Sequence, residues 1–193
     1  MLVAQAVRAS EIFIDTEYTE SECERVFRAM MREKENIVLI GMPASGKSTV
    51  GALIAEATGR RLVDTDGMIV ERAGKPITAI FAEDGEAEFR RLEAECVAEA
   101  SALTSVIIAT GGGAVLREDN VAALRANGRL YFIDRPLSEL VPTESRPLSS
   151  DRAAIEKRYS ERYGLYCRVC DVRVDATCDA DGVASEIRKD FGI

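Results

Sequence analysis

The sequence predicts an α/β fold, a five-stranded parallel sheet flanked by helices on both faces. Three observations predict it. Short aliphatic and β-branched runs recur along the chain, the stretches between them have helical spacing, and a glycine-rich motif joins the first run to the first helical stretch. The length of 193 residues suits one ordinary domain with a short appendage. A 47% hydrophobic content fills a core of that size, and 30% charged residues supply a polar surface.

The strand candidates are NIVLIG (36–41), RLVDTD (61–66), SVIIAT (105–110), RLYFID (129–134) and DVRVDA (171–176), of which RLVDTD is the weakest. Helical spacing covers Lys47 to Thr58, Asp84 to Leu103, Asn120 to Ala126, Ala153 to Tyr163 and Ala180 to Asp190. In the second of these, Phe89, Leu92, Cys96, Val97 and Ala100 share one face. Residues 1–35 fall outside the alternation and read as a helical lead-in or linker to a domain spanning 36–193. Ligands of such sheets bind beyond the C-terminal strand ends, which is where the motifs fall.

Charge and composition exclude several classes. A formal net charge of −8 without a Lys/Arg-rich run makes nucleic acid a poor partner. No apolar run reaches the length of a membrane span, and MLVAQAVRA is too short and weakly apolar for a signal peptide, so a cytoplasmic setting is expected. The chain has no histidine, which removes the commonest general base and metal ligand. Its five cysteines form an odd set, and Cys167-x-x-Cys170 lacks the second pair that a zinc site requires.

Gly41 to Ser48 matches G-x-x-x-x-G-K-[ST] in full, between a strand and a helix pattern. Gly41, Ala44, Ser45, Gly46, Lys47, Ser48 and Thr49 then form a phosphate cradle. Its N–H groups and helix end face the phosphates, Lys47 follows charge onto the γ-phosphate, and Ser48 offers its hydroxyl to Mg²⁺. The motif says nucleoside triphosphate and is silent on the acceptor.

Four further features bear on that acceptor. Asp64 and Asp66 are two apart on a strand and point the same way, although D-T-D-G also suits a turn. Glu86, Arg90 and Glu93 share one helical face, either as a held arginine or as a solvated charge ladder. Gly111, Gly112 and Gly113 end a strand, as an anion-binding nest or a plain turn. Arg146 lies in a segment, 142–152, with a lid-like composition, and Arg162 precedes the last strand; either arginine alone is also an ordinary surface charge. Arginines with a glycine nest suit a carboxylate, and an aspartate near the γ-phosphate suits a hydroxyl, so together they point to a small hydroxy acid. A gluconate-type kinase and a non-catalytic nucleotide-binding module are the rival readings.

In this order and spacing, the P-loop at 41–48, D-T-D at 64–66, GEAEFRRLE at 85–93, GGG at 111–113, RPL at 146–148 and Arg162-x-x-x-Tyr166 resemble the shikimate kinase family. The resemblance covers residues 36–193 and implies a P-loop kinase fold with a short lid. It also implies a monomer that phosphorylates the 3-hydroxyl of shikimate with ATP and Mg²⁺. On it, Asp66 positions the acceptor hydroxyls, Asp64 and Ser48 lie at the metal, and Arg90, Arg162 and Gly111–Gly113 hold the carboxylate. On the resemblance, Lys47, Asp66 and Arg146 are catalytic residues, and Glu93, with Glu86, fixes the arginine or touches the substrate. Two departures stand out: the segment Phe132 to Arg146 is short and lacks a counterpart of the arginine that stacks on adenine, and RPLS replaces RPLL. Residues 1–13, with Gln5, resemble the C-terminal helix of shikimate dehydrogenase, which implies the kinase part of a fused enzyme.

Overall fold

The computed structural model describes Gln5, residues 19–140 and residues 152–193. Two compact units, Met1–Glu35 and Asn36–Ile193, divide the chain. Within the first, helix α1 (Glu20–Lys34) starts at a capping box. Thr19 Oγ1 donates to Glu22 Oε2 at 2.7 Å, and Glu22 N donates back to Thr19 Oγ1 at 3.3 Å. The resemblance of residues 1–13 to a dehydrogenase helix falls, Gln5 apart, outside the described residues.

The second unit runs β1 (Asn36–Ile40), α2 (Lys47–Thr58), β2 (Leu62–Asp64), α3 (Thr65–Ala73), α4 (Gly85–Ser101), β3 (Ile107–Ala109), α5 (Glu118–Ala126), β4 (Gly128–Asp134), α6 (Arg152–Val169), β5 (Val172–Asp175) and α7 (Ala180–Phe191). The sheet order is β2-β3-β1-β4-β5, with every pairing parallel. Ile37 faces Ile107 on one side and Arg129 on the other, so β1 is central, and all five of its residues are buried.

Alternation along the strands sends side chains into two cores. Val38, Ile40, Ile108, Leu130 and Phe132 pack with Val97, Leu124 and Tyr166 of α4, α5 and α6. Ile37, Leu39, Tyr131, Ile133 and Val174 pack with Val50 and Ile54 of α2 and with Val183, Ile187 and Phe191 of α7. A smaller cluster of Ile69, Ile80, Phe89, Leu92 and Cys96 fastens α3 to α4. The expected fold class holds: five parallel strands with helices on both faces.

Three elements differ from expectation. RLVDTD is a strand only to Asp64, because the Asp64 side chain accepts from the Asp66 and Gly67 N–H groups and caps a helix, α3, that the sequence pattern did not show. A helical turn at Ile77–Ala79 and a π-helical turn at Ile80–Asp84 then lead into α4. Helix α6 runs to Val169 rather than Tyr163. Gly164 interrupts its sequence pattern, yet Tyr166 beyond it is fully buried and stacks on Phe132 at 5.1 Å, which secures the extra turns.

Asn36 ties the sheet at its lower edge. Its Nδ2 donates to Leu103 O at 2.7 Å and its Oδ1 accepts from Val106 N at 3.0 Å. Leu103 O keeps a second donor, Asn127 Nδ2, so removing the Asn36 side chain strands the Val106 N–H above all. Asn36→Ala is therefore expected to destabilise the protein by about 2–3 kcal/mol, the penalty for an orphaned buried donor plus a small cavity. Urea unfolding measures this, and a loss below about 0.5 kcal/mol would refute it.

Candidate active site

The phosphate cradle follows β1 and ends at Gly46, the residue before α2. Gly41 takes φ 149° and Gly46 φ 94°, and Ala44 sits at φ 64°, a left-handed conformation that burdens a side chain with about 1–2 kcal/mol. Lys47 is buried and folds over the loop, donating to Gly41 O at 2.9 Å and Met42 O at 2.7 Å. The loop shape is thus held from inside by the cation that its phosphates would attract.

Ser48 lies at the start of α2 and donates its hydroxyl to Asp64 Oδ2 at 2.7 Å. The other oxygen, Oδ1, accepts from Asp66 N at 2.9 Å. With its proton turned to Asp64, the Ser48 oxygen is left as an acceptor beside a carboxylate. Such hard oxygen donors fit Mg²⁺. No group of three or more Cys, Asp or Glu able to hold a metal occurs among the described residues, so this pair would share any ion with phosphate oxygens.

Asp66 reaches the site from the first turn of α3, not from a strand face; the cap at Asp64 rather than β alternation turns it inward. Thr65, fully buried between the two aspartates, accepts from Gly111 N at 3.0 Å and joins this corner to the end of β3. The sequence reading missed it, since nothing local marks its hydroxyl as a tether.

Each of the three glycines after β3 has a different neighbour where a Cβ would stand. At Gly111 it would overlap Asp66 Oδ1, at Gly112 it would lie 2.8 Å from Pro43 Cδ, and at Gly113 3.0 Å from Arg90 Cζ. The turn is therefore packed against Asp66, the phosphate loop and Arg90 at once. Side chains at these positions would displace the Asp66 carboxylate and the Arg90 guanidinium and, at Gly112, press on the rigid Pro43 ring.

Arg90 is held from both sides along α4, as the spacing predicted. Nη1 donates to Glu93 Oε2 at 2.7 Å, while Nη2 and Nε donate to Glu86 Oε1 at 3.0 and 3.2 Å. The neighbouring Arg91 makes a similar clamp with Glu88 and Glu95. Exposure separates the two: the Arg91 side chain is 55% exposed and its pairs are screened by water, whereas that of Arg90 is 18% exposed over the glycine turn. Arg162 is buried and donates to Gly112 O at 3.1 Å, a bond shared by Tyr166 Oη at 2.5 Å.

Glu93 is 1% exposed, and its Oε1 has no hydrogen-bond partner. Burial pushes its carboxyl up from the ordinary 4.5, more than Arg90 lowers it; the Asp66 charge adds to the rise and Arg162 opposes it. Glu93, Asp66, Arg90 and Arg162 therefore surround one point. Arg158, one turn before Arg162, also feels the positive charges of Arg162 and Arg90, and burial is the first cause that lowers it. The sequence reading missed this residue too.

Arg146 and residues 142–151 of the expected lid lie outside the described residues. At the flanks of that segment, Arg152 Nη1 donates to Leu140 O at 3.3 Å.

The family model for shikimate kinase matches residues 43–191. The chain belongs to the shikimate kinase family. It is 39% identical over 160 residues to the shikimate kinase of Clostridium botulinum (strain Eklund 17B / Type B), covering 81% of this chain and 96% of the relative. It is 43% identical over 158 residues to that of Caldicellulosiruptor bescii, covering 79% and 92%. Among solved structures, the shikimate kinase of Acinetobacter baumannii in complex with shikimate superposes with a TM-score of 0.78 at 26% identity, over 86% of this chain and 97% of that one. Membership in the family sets aside the gluconate-type and non-catalytic readings.

Two outcomes follow from the geometry. Ala44→Gly is expected to stabilise the protein by about 0.5–1 kcal/mol, since relief of left-handed strain exceeds the added entropy of the unfolded chain; a loss of stability in thermal unfolding would refute this. For Glu93 the raised carboxyl means that its contribution to stability is full below pH 4.5 and is lost as pH rises through the raised value. The unfolding free energy of Glu93→Gln minus that of wild type is therefore expected to climb with pH across that window. A flat or falling difference would show that Arg90, not burial, controls the group.

Proposed function

We propose that Asp66, Arg90 and Arg162 receive the acceptor in the transfer of the γ-phosphoryl group of ATP to the 3-hydroxyl of shikimate, giving shikimate 3-phosphate and ADP. Phosphorylation of shikimate, a step of aromatic amino-acid biosynthesis, is the activity of this family member. The observation that carries the assignment of residues is the packing of Gly112 on Pro43, which brings the donor loop against the turn between Asp66 and Arg90.

From that contact the roles follow in order. Backbone N–H groups of 44–49 take the phosphates at the positive end of α2. Lys47 exchanges its loop carbonyls for phosphate oxygens and follows the charge that moves to the γ-phosphoryl. The Arg90 and Arg162 guanidiniums, already oriented by Glu93 and the Gly112 carbonyl, hold the acceptor carboxylate. That fixes the ring so that a hydroxyl meets Asp66, which orients it and accepts its proton late in transfer. Ser48 and Asp64 would hold Mg²⁺, which when bound neutralises phosphate charge. Arg146 is proposed to close over the transferring group from the lid.

The wider assignments belong to the same proposal. The family match begins at residue 43, just inside the second unit, and residues 1–35 outside it are proposed as a helical lead-in or as a linker from a shikimate dehydrogenase part, the latter on the resemblance of residues 1–13 alone. The kinase unit is proposed to act as a monomer in the cytoplasm. Among the described residues, no helix is long and apolar enough to cross a membrane.

A coupled assay of ADP release with ATP and Mg²⁺, comparing shikimate, quinate, gluconate and no acceptor, tests the function. Shikimate alone is expected to stimulate release. Asp66→Asn is expected to lower kcat about a hundredfold or more. Arg90→Ala is expected to raise the KM for shikimate about tenfold or more, the loss of a charge-assisted clamp, with ATP binding unchanged. Near-wild-type kinetics in either variant would remove the proposed acceptor site.

A further inference from the structure

Arg135 stands on the opposite side of β1 from the acceptor residues. It follows β4, whose end is pressed on the phosphate loop: a Cβ on Gly41 would lie 2.9 Å from Ile133 O. Alternation places Arg135 on the face of Ile133, which packs with α2 and α7, while Asp134 turns the other way to bond Arg173 and Tyr163. Its guanidinium consequently lies over the residue that opens α2. Nη2 is 4.0 Å from the position of a Cβ on Gly46, and apart from its chain neighbours Ser45 and Lys47 no other described residue comes that close.

This is an unfavourable place for a cation that has nothing to bind. The start of α2 carries the positive end of the helix dipole, has no side-chain cap and no acidic residue in its first turn, and already holds Lys47. Arg135 has one partner among the described residues, Glu139, at 3.4 Å from Nη1. Its Nε is buried without a partner, although the side chain as a whole is 26% exposed. A guanidinium has five donors in a rigid fork, and beyond the Glu139 contact the accessible Nη2 is free to meet an anion over the start of α2. Its backbone is fixed between the end of β4 and Pro136, whose carbonyl accepts from Glu139 N at 2.9 Å in a tight turn.

We propose that Arg135 is a nucleotide-positioning residue that pairs with the α- and β-phosphates of ATP and keeps the same hold on ADP. The direction of the nucleotide decides which phosphates it meets. Asp64, Asp66 and Gly111–Gly113 lie at the ends of β2 and β3, on one flank of β1, so the γ-phosphate points that way. Arg135 lies at the end of β4, on the other flank, and meets the phosphates that stay behind. In this it differs from Lys47, which tracks the group that leaves. The inference rests on the reading of residues 41–49 as the nucleotide cradle.

Titration calorimetry of ADP and of tripolyphosphate, on wild type, Arg135→Ala and Arg135→Lys, tests it. Arg135→Ala is expected to weaken both ligands alike, about tenfold or more, the scale of a lost charge-assisted hydrogen bond. Arg135→Lys is expected to recover part of the loss, and rising salt to narrow the gap. In steady state the KM for ATP rises while kcat and the KM for shikimate stay near wild type, and the melting temperature without ligand does not fall. Loss of ADP affinity with tripolyphosphate binding intact would assign Arg135 to the base and overturn the proposal. Unchanged ADP affinity in Arg135→Ala would overturn it as well, and so would a lower unliganded melting temperature with kcat reduced in step. If wild type binds neither ligand, the cradle reading itself fails, an outcome the wild-type titration separates from failure of Arg135 alone.

Discussion

Where Gly111, Gly112 and Gly113 would each carry a Cβ, the side chains of Asp66, Pro43 and Arg90 already stand. That closeness lets three segments that are distant in sequence share one small volume. A methyl group at any of the three positions would have to displace a carboxylate, the phosphate loop or a guanidinium. The same turn binds the fourth segment through its carbonyl, since Gly112 O accepts from both Arg162 and Tyr166 of α6. Tyr166 is in turn locked by stacking on Phe132 of β4. The site is thus coupled to the sheet through backbone atoms, which hold position more tightly than side chains do.

Charge is organised around this turn in a chain that is acidic overall. With a net charge of −8, attraction of an anionic substrate must come from local arrangement. Arg90 and Arg162 are therefore oriented before any ligand arrives, one by two glutamates and one by a carbonyl. Burial pushes the Glu93 carboxyl up more than Arg90 lowers it, so its charge there is held against desolvation. A protein selected for stability alone would not keep an unpartnered buried carboxylate oxygen there. Its place between Asp66 and Arg90 is what the proposed acceptor site would need to keep the guanidinium oriented.

Legibility in the sequence followed the range of each interaction. Lys47 and Ser48 were readable because a phosphate loop draws its donors from consecutive residues. Glu86, Arg90 and Glu93 were readable because helical spacing puts them on one face, although only the structure separated them from the exposed Arg91 clamp. The convergence of Asp64 and Asp66 was foreseen by the wrong route, since a capping carboxylate, not strand alternation, turns Asp66 inward. Thr65 is tied to Gly111, about 46 positions away in sequence, and Arg135 lies over Gly46, about 89 positions away, and no local pattern encodes such proximities. Helix α3 was hidden for a related reason: its start depends on one cap, and its apolar side pairs with α4 rather than with the sheet.

The bond from Arg152 to Leu140 closes the base of the segment between them. Chain added to or taken from a loop whose ends are already joined changes the closure entropy only slowly, by about 0.6 kcal/mol for each doubling in length. The start of α6 and the backbone beyond β4 are thus tied to each other directly, so the spacing between the sheet and the helix that carries Arg162 does not depend on how long a chain joins them.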